Sequence, residues 1–112
     1  MNRRASQRAK VDLLINRFLD GHPYMCRMTD ISPTGMRLIP LLEPRVAPRF
    51  MGLPFQLPGV DLVLTASGEA VSTARAPASE ANDAATESGT GIRFTSLPAD
   101  CESAIRRFVA SA

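Results

Sequence analysis

Tryptophan is absent from the chain, and its 112 residues include one tyrosine and one histidine. A surface that stacks single-stranded nucleic acid needs exposed aromatic platforms. Of the five phenylalanines, Phe18, Phe55, Phe94 and Phe108 fall at expected core positions, which leaves little for such a surface. Cysteine is scarce as well: Cys26 and Cys101, with His22 as the lone imidazole, make a poor ligand set for a metal. No apolar run approaches the ~20 residues of a membrane span. The basic start is followed by "VDLLINRFLDG", interrupted too often by Asp, Asn and Arg for a signal peptide. The expectation is a cytosolic, cytoplasmic chain with no metal and no membrane insertion, its two thiols reduced and semi-buried. An excess of one charge is also lacking: 13 basic against 11 acidic residues leave +2, too little for a general polyanion binder.

What charge there is, however, is unevenly placed. Residues 1–10, "MNRRASQRAK", hold Arg3, Arg4, Arg8 and Lys10 and no acid, so this basic arm is a local anion trap. Residues 11–112 read as one domain. Val11, Leu13 and Ile15 alternate with Asp12 and Asn16, the mark of a half-buried strand. Asp20-Gly21 predicts a tight hairpin turn, because both residue types accept positive φ. The chain returns through "PYMCRMTDI", turns at Ser-Pro-Thr-Gly, and begins a third strand at "MRLI".

Pro40, Pro44 and Pro48 exclude a regular element between "LIP" and "RFM". A short strand is expected around Phe55 and Leu57, closed by Pro58-Gly59. A long one follows over "VDLVLTASGEAVSTARA", with a bulge or bend at Gly68. "PASEANDAATESGT" has no apolar period and reads as a solvated loop, after which "GIRF" resumes a strand. Cys101, Ile105, Phe108 and Val109 recur at helical spacing, predicting a helix over about residues 97–110 after the start signals Ser96 and Pro98. These elements predict a mainly β fold, a small six-stranded antiparallel Greek-key-like barrel with a C-terminal helix.

Two short patterns carry the chemistry. "TDISPTGMRL" breaks an apolar run with Asp30, Ser32 and Gly35, residues that each suit a turn on their own. Arg4-x-x-x-Arg8, taken alone, is an ordinary spacing in any basic segment. Their combination is less ordinary: R-x-x-x-R leads into a first strand, and D-x-S-x-x-G ends the second. This arrangement resembles the PilZ domain, a bacterial receptor for cyclic di-GMP. "RRASQRAKVDL", "FQLPG" and "GTGIRF" are similar to further stretches of that family, so the likeness covers nearly the whole chain.

The resemblance implies a non-catalytic second-messenger receptor whose signal passes to a separate effector protein, with motility, pili, exopolysaccharide or biofilm behaviour as the usual outputs. It implies Arg4 and Arg8 at phosphate and at guanine O6/N7. Asp30 and Ser32 recognise guanine in the same scheme, and Gly35 lets the ligand approach the backbone. Arginine suits the task because it bonds phosphate bidentately, pairs with guanine and stacks on purines. Arg3, Arg37 and Arg93 are further candidates, and the arm is expected to fold down on ligand.

Three rivals compete with this reading. A hydrolase triad of Asp30, Ser32 and His22 fails because Asp30 and Ser32 share one tight turn and cannot flank an imidazole in relay order. A small nucleic-acid-binding barrel lacks stacking platforms and would show a steep salt slope. The third is a PilZ-like protein adaptor that does not bind the nucleotide, against which the intact Arg4, Arg8, Asp30, Ser32 and Gly35 argue.

Overall fold

The structure is a computed structural model, and it describes residues 7–42, 44, 48–74 and 89–112. The order of elements is β1 (Ala9–Leu19), β2 (His22–Ser32), β3 (Gly35–Pro40), β4 (Phe50–Phe55), β5 (Leu64–Ala74), β6 (Gly89–Ser96) and α1 (Ala99–Ala110). The strands close into an antiparallel barrel in the order β1-β2-β3-β6-β5-β4, and the β1–β4 contact at Phe18 and Gly52 completes the ring. A closed ring leaves no strand edge to template aggregation.

The barrel's wall is built by simple alternation. In β1 the odd positions Ala9, Ile15, Arg17 and Leu19 are buried, while the even positions from Lys10 to Phe18 are exposed. Leu38, Met36, Leu53, Leu64 and Ile92 fill the interior from the other strands. α1 adds Cys101, Ile105 and Val109 to the same core and lies against β2. Its acids Asp100 and Glu102 occupy the first turn and Arg107 the last, each on the side the helix dipole favours.

Several sequence expectations shift. β1 begins at Ala9, inside the stretch read as arm, because Ala9 pairs with Ile31 and Lys10 with Asp30. Phe18 is 36% exposed rather than in the core, since it takes the outward phase between buried Arg17 and Leu19. Phe55 is buried, and Phe94 and Phe108 pack partly buried against the core. Both cysteines are buried outright. β4 ends at Phe55, with Leu57 buried beyond it. β5 starts only at Leu64, because the Pro58-Gly59 turn extends through a Val60-to-Leu57 hydrogen bond and a Gln56 side chain bonded to the Val60 carbonyl. The register of β5 against β6 does shift between Ser67 and Gly68, where the bulge was expected. Gly89 and Thr90, read as loop, already pair in β6, while residues 75–88 lie outside the described residues.

Candidate functional site at the β2–β3 turn

β2 does not alternate throughout. Met28 faces inward, and strict alternation would turn Asp30 inward after it. Instead Ile31 is fully buried, and the ladders to β1 and β3 both slip at Thr29. Bulges of this kind re-aim side chains. The slip turns Asp30 outward, where it lies opposite Lys10 of β1 and Arg37 of β3. A lone acid thus stands in a row with two cations across three strands.

Arg8, just ahead of β1, reaches this acid. It donates from Nε and Nη2 to Asp30 Oδ1 at 3.0 and 2.8 Å. The side chains remain 42% and 23% exposed, so the pair is a surface ion pair and not a buried anchor. Arg8 and the turn are therefore neighbours in space, as the pairing of the two sequence patterns predicts. Arg3 and Arg4 lie outside the described residues.

Ser32 and Gly35 have different work. Ser32 is fully buried. Its Oγ accepts from the Thr34 amide at 3.2 Å, shares a hydrogen bond with Thr34 Oγ1 at 3.1 Å and donates to the Gly35 carbonyl at 3.4 Å. The hydroxyl ties the Pro33–Thr34 turn, with Pro33 presetting one backbone angle. At Gly35 a Cβ would fall 2.0 Å from the Ile92 carbonyl oxygen. What approaches this glycine closely is the backbone of β6. In this geometry both residues shape the turn that presents Asp30.

Arg37 is half-buried on the outward phase of β3. Arg93 pairs in register with Gly35 on one side and Glu69 on the other, and its Nη2 donates to Glu69 Oε2. Sequence reasoning passed over Glu69, because a single acid in a strand carries no sign of burial. Arg17 was missed likewise: it is buried and donates from Nη2 to the Leu42 carbonyl at 3.1 Å. Its odd position among inward residues was the available signal.

A cleft of about 320 Å³ lies beside the turn, lined by Pro33, Thr34, Arg93, Thr95, Ser96 and Glu102, among others. A larger one of about 600 Å³ sits between residues 58–62 and α1 and holds none of the expected site residues. Among the described residues no group of His, Cys, Asp and Glu is arranged to hold a metal ion, and no helix is long and apolar enough to cross a membrane.

A family model described as PilZ domain matches residues 2–111. No curated protein matches the chain in sequence. Among solved structures, the Bacillus subtilis inhibitor of motility (MotI/DgrA) is similar over 99% of this chain with a TM-score of 0.74 and 13% identity, a level that speaks to the fold alone. The chain spans about half of that structure's chain, 51%.

Proposed function

The chain belongs to the PilZ domain family, whose members are non-catalytic receptors, and from that premise we propose that it binds cyclic di-GMP at the Asp30 turn. One observation carries the reading: Arg8 and Asp30, from the two patterns that define the site, sit within hydrogen-bonding distance on one outer face. Lys10 and Arg37 flank them, so the local balance is cationic and suits a doubly anionic ring. Asp30 offers acceptors for the N1–H and N2–H₂ donors of a guanine edge. Arg8 offers a planar fork for phosphate or for guanine O6/N7, with Arg4 as its companion.

The Arg8–Asp30 pair is weak enough to yield. An exposed ion pair contributes about 0.2–1 kcal/mol, whereas a micromolar ligand releases about 8 kcal/mol on binding. Ligand can therefore take over both partners at little cost, and Ser32 and Gly35 keep the turn that presents them. Binding would reorganise the foot of the arm, a shape change that a separate effector protein can read. Motility is one output to examine, since the B. subtilis protein of like fold is an inhibitor of motility.

Calorimetric titration of the purified chain with cyclic di-GMP tests the reading. Saturable binding with an affinity that depends weakly on salt supports it. A flat trace at millimolar nucleotide overturns it and leaves the adaptor that ignores the nucleotide.

A further inference from the structure

Glu69 is 3% exposed, although it projects from the outer phase of β5. Two guanidinium groups pair with its carboxylate. Arg93 donates to Oε2 from β6, and Arg49 Nε lies 3.2 Å from Oε1. Both arginines remain largely open to solvent, at 62% and 68%. The carboxylate is the enclosed member and the cations are the reachable ones.

This arrangement sits one strand away from the candidate site. Glu69, Arg93 and Gly35 stand in register across β5, β6 and β3, so the last residue of the D-x-S-x-x-G pattern is Arg93's neighbour. Arg93 also lines the 320 Å³ cleft together with Pro33 and Thr34, the two turn residues between Ser32 and Gly35. An unrestrained surface arginine samples many rotamers, and fixing it costs up to about 2 kcal/mol of side-chain entropy. Glu69 has already fixed this one. A carboxylate occupies only part of a guanidinium's five donors, and two arginines against one carboxylate leave the cluster with net positive charge.

We propose that Glu69 is a positioning residue: it holds the Arg93 guanidinium at the mouth of the cleft, where an anionic phosphate oxygen of ligand seated at the Asp30 turn meets it. The inference rests on the cyclic di-GMP reading and extends its site from β1–β2–β3 onto β6. Arg93 is then the contact, and Glu69 acts only through it.

A double-mutant cycle on the full chain tests this, with cyclic di-GMP titrated calorimetrically into wild type, Glu69→Gln, Arg93→Ala and the double variant. Arg8→Ala serves as the control for the main site. The expected result is a roughly tenfold loss of affinity in Arg93→Ala, the scale of one guanidinium contact. Glu69→Gln is expected to lose about threefold to tenfold, and to lose nothing further once Arg93 is alanine. Unchanged affinity in Arg93→Ala, while Arg8→Ala weakens binding, overturns the inference and leaves the receptor reading standing. Equal losses from Glu69→Gln with and without Arg93 also overturn it, since Glu69 then acts through the barrel. If Glu69→Gln does not fold, Arg93→Ala decides, its side chain being largely solvent-exposed. No binding in wild type overturns the receptor reading and this inference together.

Discussion

Arg8 and Asp30 separate affinity from stability. Their pair is exposed, so Arg8→Ala should cost the fold no more than about 1 kcal/mol. The same change should weaken cyclic di-GMP binding roughly tenfold to a hundredfold, since a guanine- or phosphate-binding arginine contributes about 1–3 kcal/mol. Thermal melting and calorimetry on one preparation check both halves. Gly35 behaves in the opposite way. A methyl group there would meet the Ile92 carbonyl at 2.0 Å, and backbone cannot step aside as a side chain can. Gly35→Ala should therefore destabilise near the upper end of the ~1–3 kcal/mol that overpacking costs, read as a lower urea midpoint. The sequence marked Gly35 as special, and the packing of β6 adds a reason of its own. The β6 carbonyl that occupies its empty side comes from residues far along the chain, and no local pattern announces it.

At the level of elements, the two hairpin turns of β2 have separate duties. The Asp20-Gly21 turn has φ of 53° and 82°, the left-handed pair that matches the twist of a tight hairpin. Gly21→Ala should cost about 1–2 kcal/mol, the penalty of a Cβ in that region, with a correspondingly lower denaturation midpoint. Ligand affinity should not move, because the 11 residues of β2 put this turn roughly 30 Å from the Pro33–Thr34 turn. A drop in affinity would mean that the hairpin communicates with the site. Turn chemistry is local, so the first turn was legible from its dipeptide alone. The slip at Thr29 was not: both neighbouring strands must be in place before a bulge can be told from ordinary alternation. Yet that slip is what turns Asp30 outward.

For the molecule as a whole, the barrel is held by a shared interior to which α1 contributes. Ile105 is fully buried there. Ile105→Ala should destabilise by about 2–5 kcal/mol, the usual cost of such a cavity, measurable by urea unfolding. Loss confined to helical signal, with the barrel intact, would show that α1 is only an appendage. The sequence by itself determined the strands, the first hairpin, the helix and the two polar patterns, because period, turn chemistry and residue type act over a few neighbouring residues. Pairing between strands that lie apart along the chain decided the rest. It set β6 beside β3 and β5, enclosed Glu69 between two arginines and brought Arg8 onto Asp30, since burial and ion pairing depend on which distant segments become neighbours.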